Sequence, residues 1–465
     1  MDNNLDSSHH GWCRPARESA LEIFKAGIEA ADPYNAVKSA LTIENGQIRL
    51  GLDSTGQPAR TGNWNKVRLI AIGKAACAMA DAAQTIIPDQ RIEGTGIAVT
   101  NYENVREVSR FEVTGASHPL PDHSGYEGAK KIARYAAEAK SDELVLVLVS
   151  GGGSALVPYP AGTITLEEKI ATTRILLACG ADINQINCVR KHLSRLKGGG
   201  LARIAAPAAI HSLILSDVLG NDLSSIASGP TIPDPTTFQD AIEIFWNKRV
   251  WYQLPPRIRA HLDAGFSGKT AETPKPGDSE FEKVEYTLIG SNRISVDAIV
   301  RQAEHRNYET RIYSDALCGE ARDEAENLAV HARKLMQEDQ SSPIAVLAGG
   351  ETTVTLKGNG RGGRNQEMAL AFALAAERHG LEPRWVFLSG GTDGRDGPTD
   401  AAGGIVDPGS IQRMRDNGLD NPQGFLNNND SYVALKRSND LLDTGATGTN
   451  VADLQILLIY PKLYH

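Results

Sequence analysis

Residues Leu144–Leu156 read LVLVLVSGGGSAL: an apolar run without polar alternation empties into three glycines flanked by serines, then into a segment that can open a helix. An uninterrupted Val/Leu run suits a parallel strand buried on both faces. Glycines at its end lie where open α/β sheets bind ligands, and a glycine turn lets backbone N–H groups reach an anion at a helix N-terminus. Gly151, Gly152 and Gly153 therefore read as a phosphate or carboxylate cradle, or simply as a tight turn. Ser150 and Ser154 can bond phosphate oxygens or cap the following helix. The order G-G-S-A-L is not a G-x-S-x-G elbow, which disfavours acyl transfer.

The same arrangement recurs along the chain. VRLIAIGKAACAMA (Val67–Ala80) is a buried-looking strand, then Gly73, Lys74 and small residues at helical spacing. SLILSDVLGNDLSSIASGPT (Ser212–Thr231) places Asp217 and Asn221 after a strand, and RWVFLSGGTDGRDGPTDAAGG (Arg384–Gly404) delivers Asp393, Asp396 and Asp400 after another. Four strand ends bearing glycine and polar groups suggest one composite site.

At 465 residues the chain exceeds what a single growing core supports, so two domains are expected. The 45 glycines fit many strand-to-helix turns. A net charge of -9 argues against a dedicated nucleic-acid binder, which needs a basic face. No apolar segment approaches the ~18 residues a membrane span requires, and MDNNLDSSHH carries no signal-peptide core, so a cytoplasmic protein is expected. Cys13, Cys77, Cys179, Cys188 and Cys318 show no C-x-x-C spacing and read as reduced thiols. A homodimer stays open.

Helical periodicity in Arg17–Leu41, strands near Val67 and Ile97, a helix over Ser124–Lys140 and the strand at Leu144 compose successive βα units, which predicts a doubly wound parallel sheet. The polar, Pro- and Gly-rich stretch Phe266–Lys283 is the expected linker. It divides a Rossmann-like domain, 1–275, from a smaller α/β domain, 284–465, with strands at Tyr286, Ile312, Ile344 and Val386. Within the second domain Gly358, Gly360 and Gly363 satisfy G-x-G-x-x-G after the strand-like TTVTLK. The acidic partner expected about 20 positions on is only Glu382, in a loop, so a dinucleotide site is disfavoured. Arg361 and Arg364 in that turn point instead to an anion clamp.

These stretches, with GASHPLPD, NCVRKHLSRLKGGGLA, GGETTVTLKGNGRGGRNQE and TGTNVADLQILL, occur in an order that resembles the glycerate 2-kinase family with a C-terminal MOFRL-type domain, some members of which are named hydroxypyruvate reductases. The resemblance implies ATP-dependent phosphorylation of the 2-hydroxyl of D-glycerate, on two α/β domains with the active site in the cleft between them. It points first to Lys74 and Arg364. Phosphoryl transfer spreads negative charge over the phosphate oxygens, so placed cations and a metal supply most of the catalysis. Lys74 would sit on the transferring phosphate, and Arg364 would fork onto a carboxylate or γ-phosphate.

With Lys74, Arg364 and Asp217 as the catalytic set, the nucleotide and phosphate contacts expected are Gly73, Ser150, Gly151, Gly152, Gly153, Ser154, Gly362 and Gly363. Arg190, Lys191, Asn365 and Gln366 are the expected substrate contacts. Magnesium takes one or two carboxylates plus substrate oxygens, and Asp217 and Asp393 are the candidates, with Asp396 and Asp400 in the same loop. One aspartate can instead take the hydroxyl proton. His118, before a proline, reads as a loop brace. Two departures from the family pattern stand out: Leu219 and Asn221 beside Asp222, and Ala452 where an amide is common, leaving Asn450 or Asp453 to compensate. The competing classes are an NAD(P)H-dependent hydroxypyruvate reductase and a noncatalytic sugar-acid or nucleotide-binding protein.

Overall fold

The computed structural model describes residues 12–52, 56–218, 222–338 and 341–462. They form two compact units: Pro33–Gly290, and Met1–Asp32 together with Ser291–His465.

In the first unit, β1 (Leu41–Glu44), β2 (Gln47–Leu52) and β3 (Pro58–Gly62) make a small antiparallel sheet. The main sheet comprises β4 (Val67–Ile72), β5 (Gly96–Asn101), β6 (Phe111–Ala116), β7 (Leu144–Val149), β8 (Ala209–Leu215) and β9 (Val284–Gly290). Its order is β6-β5-β4-β7-β8-β9, and every pairing is parallel. All residues of β4, β7 and β8 are buried, which is why their sequences lack alternation. Counted from β4, the order is 3-2-1-4-5-6, that of doubly wound nucleotide-binding sheets, and it reverses between β4 and β7. With Val67 opposite Leu144 and Ile72 opposite Val149, the GKAA and SGGGS turns leave the sheet side by side at the switch point. β8, next to β7, brings the Asp217 turn to the same edge.

The second unit carries β10 (Glu309–Leu317), β11 (Ile344–Gly350), β12 (Trp385–Gly391), β13 (Gly403–Val406), β14 (Leu441–Leu442) and β15 (Asp453–Ile459), in the order β10-β11-β15-β12-β13-β14. This sheet is mixed, because β15 enters antiparallel between β11 and β12. Against it lies the helix Arg364–Arg378, buried from Asn365 to Ala376.

The structure draws the domain boundaries differently from 1–275 and 284–465. The strand at Tyr286 is β9, the edge of the parallel sheet, and does not open the second region. The stretch Phe266–Lys283 is no linker: Phe281 packs on the core of the first unit, and Asp234 N–H donates to Pro274 O at 2.8 Å. The N-terminal helix Cys13–Ala30 buries Ala20, Ile23 and Phe24 in the core of the second unit, together with Val296, Leu388 and Leu454. Among the described residues no helix is long and apolar enough to cross a membrane.

Candidate active site

At the switch point the two turns are bolted together. Gly73 takes a φ of 123°, open to glycine and strained for other residues. A Cβ there would lie 2.2 Å from Ser150 Oγ, so the close approach of the turns also demands it. Lys74 N–H donates to Gly151 O at 2.9 Å, and Ala75 N–H to Ser150 Oγ at 3.0 Å. Thr100 and Asn104 hold the Lys74 carbonyl. The backbone of Lys74 is thus fixed, while among the described residues no hydrogen bond or ion pair closes on its ammonium group.

The triple glycine borders the Lys74 side chain. Gly152 adopts φ 81°, and a side chain there would meet Lys74 Cγ at 3.2 Å and His118 Cδ2 at 3.3 Å. A Cβ on Gly151 would meet Asp217 Oδ2 at 2.0 Å. Lys74, His118 and Asp217 therefore surround one glycine loop. The N–H groups of Gly151, Gly152, Gly153 and Ser154 donate to no carbonyl among the described residues, which leaves a run of donors for an anion. Burial raises the Asp217 pKa, and the Lys74 charge acts in the opposite sense. Partial desolvation, then Lys74, lowers that of His118, keeping an otherwise exposed imidazole neutral at pH 7.

Not every expected residue reaches this cradle. Ser150 is buried, and its hydroxyl is spent on Ala75 N–H, so it braces the turn instead of binding phosphate. Ser154 Oγ lies 2.8 Å from Ser228 Oγ, which donates to Asn187 Oδ1. Lys191 is buried in an ion pair with Asp234 at 3.3 Å, which takes it away from substrate. Arg190, its neighbour on the helix Ile183–His192, is partly buried and meets no carboxylate within ion-pairing distance among the described residues. Leu219 and Asn221 lie outside the described residues.

The Arg364 turn belongs to the second unit and has a different construction. Arg364 Nε and Nη2 fork onto Asp453 Oδ2 and Oδ1 at 2.5 and 2.9 Å, and Nη1 reaches Glu351 at 2.9 Å. Burial opposes its charge, but Asp453 overrides that cost and raises the pKa. Two guanidinium N–H groups remain uncommitted. The Asp453 carboxylate orients the arginine.

TTVTLK forms no strand beyond one bridge at Thr353, so the glycine fingerprint lacks its strand. The start of the helix Arg364–Arg378 is occupied by Asp396, which accepts Asn365 N–H at 3.1 Å and Gln366 N–H at 2.8 Å. A Cβ on Gly363 would strike Asp396 Cγ at 2.3 Å, and one on Gly362 Ser431 Oγ at 2.2 Å. These glycines permit close packing and do not form an open phosphate cradle. Asn365 and Gln366 are buried, bonding Ser389 and Thr399, and brace the turn. Burial raises the Asp396 pKa to about 7. With both oxygens committed, it is no open metal ligand. Asp400 accepts the Tyr432 hydroxyl, and Asp393 caps its own turn through Arg395 N–H while staying partly exposed. Among the described residues no three His, Cys, Asp or Glu side chains converge on a metal-sized site.

Two residues beside the site, His118 and Asp453, carry no local sequence signal of where they sit. His118 was read as a brace, and only the fold of its loop onto Gly152 shows its nearness to Lys74. Asp453 was read as a stand-in for an amide, and its pairing with a residue 89 positions earlier has no local signal.

Comparison with known proteins gives a consistent frame. Residues 19–263 match the model of a domain of unknown function (DUF4147), and residues 344–453 match the MOFRL family. The chain is 40% identical over 449 residues to a glycerate 2-kinase of Pyrococcus horikoshii, covering 96% of this chain and 98% of that one. It is 41% identical to a putative hydroxypyruvate reductase of Agrobacterium vitis, covering 98% and 99%. The crystal structure of a glycerate kinase from Thermotoga maritima superposes with a TM-score of 0.84 at 38% identity, over 96% of this chain and 100% of that one.

Proposed function

This chain belongs to the MOFRL-containing glycerate kinase family, and from that premise we propose that it transfers the γ-phosphoryl group of ATP to the 2-hydroxyl of D-glycerate, giving 2-phosphoglycerate and ADP. The observation that carries the reading is the Lys74 side chain, its ammonium group unpaired among the described residues, beside a triple glycine whose N–H groups donate to no carbonyl among those residues, at the switch point of a nucleotide-binding strand order.

In this reading the glycine N–H groups and Lys74 take the phosphate charge that develops during transfer. Asp217 offers a carboxylate at the same loop with no side-chain donor among the described residues satisfying it, which fits a magnesium ligand that shares the ion with phosphate oxygens. When bound, the ion neutralises phosphate charge. His118, neutral and beside the loop, holds the proton released by the hydroxyl. Arg364, oriented by Asp453 and Glu351, turns its remaining N–H groups to an anionic substrate oxygen.

The reductase name of one relative does not transfer. The GKAA turn has a single glycine where a dinucleotide fingerprint needs three, and Asp396 fills the helix start behind the second glycine turn. The deciding measurement is ADP release from ATP and magnesium with D-glycerate, with the phosphorylated carbon assigned by phosphorus NMR. Product at carbon 2 upholds the proposal. NAD(P)H consumption with hydroxypyruvate and no ADP release refutes it.

A further inference from the structure

We propose that Lys169, Arg190 and Lys197 form an anion subsite that takes a phosphate group beside the triple-glycine loop. Lys169 and Lys197 are only 5% and 2% exposed, yet neither meets a carboxylate among the described residues. Lys169 Nζ donates to Leu193 O at 2.8 Å and Lys197 Nζ to Val157 O at 3.4 Å, and those carbonyls are their polar partners among the described residues. Arg190, likewise without an acid, lies close enough to press on both charges. Burying a cation without a counter-charge is costly, and an arginine cannot escape by losing its proton. Elsewhere in this unit buried or half-buried cations do have acids: Arg68 with Glu143, Lys191 with Asp234, His192 with Glu272. Among the described residues no acid supplies the trio with a negative charge.

Ser228 ties the trio to the loop. Its Oγ bonds Ser154 at the end of the triple glycine and Asn187, and its carbonyl accepts the N–H of Gly198, next to Lys197. Asn187 and Arg190 are three residues apart on one helix and share a face, so Arg190 is carried on the side that meets the loop. Val157, which receives Lys197, closes the turn that the glycines open through its N–H to Gly153 O. Burial, and then the Arg190 charge, lower the Lys197 pKa to about 7. The inference rests on the kinase reading only for the identity of the phosphate, which would belong to the nucleotide or to the phosphorylated acid.

The test is isothermal titration of the full chain with sulfate, which is bound without turnover. Sulfate should bind wild type, and Arg190→Met and Lys197→Met should each weaken it by about tenfold or more, as loss of a charged hydrogen bond to an oxyanion implies. Exposed Lys131→Met should not. Lys197→Met should also unfold at an equal or higher temperature without ligand, because a structural lysine would lower it. Competition then separates the sources: displacement of sulfate by ADP assigns the nucleotide, displacement by 2-phosphoglycerate the product. Wild type that binds no sulfate at millimolar concentration, or variants that bind it as wild type does, overturns the subsite. An inactive chain whose sulfate binding still needs Arg190 and Lys197 would sink the kinase reading and keep the subsite.

Discussion

At the scale of single residues, Lys74 and Arg364 differ in what else they do. Among the described residues Lys74 is held by hydrogen bonds of its backbone alone, so Lys74→Ala should leave unfolding unchanged while kcat falls roughly 10²–10³-fold. A fall of less than tenfold in steady-state assays removes it from the chemistry. Arg364→Ala should lose activity to a similar degree and also stability, because Asp453 is fully buried and loses its counterion. The cost of breaking such a pair is about 3 kcal/mol. Adding Asp453→Asn should restore the unfolding temperature and leave activity low, since the neutral amide needs no cation. Recovery of activity in the double variant would show that Arg364 serves only the fold.

Among the elements, the helix Ile183–His192 ends on a charged histidine. Burial opposes that charge, but Nδ1–H donates to Cys188 O at 2.8 Å and Nε2–H to Glu272 at 3.0 Å, and together they raise the His192 pKa to about 9. The C-terminal end of the helix favours the same cation. Because the folded value lies above the unfolded 6.5, this stabilisation is complete below pH 6.5 and disappears as pH rises through 9. Urea unfolding at pH 6, 7.5 and 9 should show the loss in wild type and a flatter profile in His192→Gln. Parallel profiles would mean that His192 does not hold its proton. The elements themselves were legible wherever the signal is local. LVLVLV and VRLIAI announce buried strands, and the glycines after them mark the turns that frame Lys74. Sequence shows Asp396 only as a carboxylate in the same loop as the metal candidate Asp393; that it caps a helix beginning 32 residues earlier depends on how β12 and that helix pack. β15 (DLQILLI) follows a Gly-rich turn and is a short apolar run, but its place between β11 and β12 is set by long-range pairing, which has no local signal.

Across the whole molecule, sequence order misleads about which residues share a core. The N-terminal helix precedes the parallel-sheet unit but completes the mixed-sheet unit, where Phe24 is fully buried and lies so close to Gly390 that a Cβ there would meet its ring at 2.7 Å. Its amphipathic pattern was readable, with Ala16, Ala20, Ile23, Phe24 and Gly27 on one face, but a stripe does not name the sheet it covers. Phe24→Ala should cost about 3–5 kcal/mol by leaving a cavity in a packed core. The loss should fall on one unit, because Phe24 shares its cluster with Val296, Ile299, Leu388 and Leu454 and with no strand of the parallel sheet. Amide hydrogen exchange on the intact chain should therefore speed up in β11, β12 and β15 while β4, β7 and β8 keep their protection. Equal acceleration in both sheets, or faster exchange in β4 and β7 alone, would show that the helix stabilises the other unit and that the division at Asp32 is misplaced.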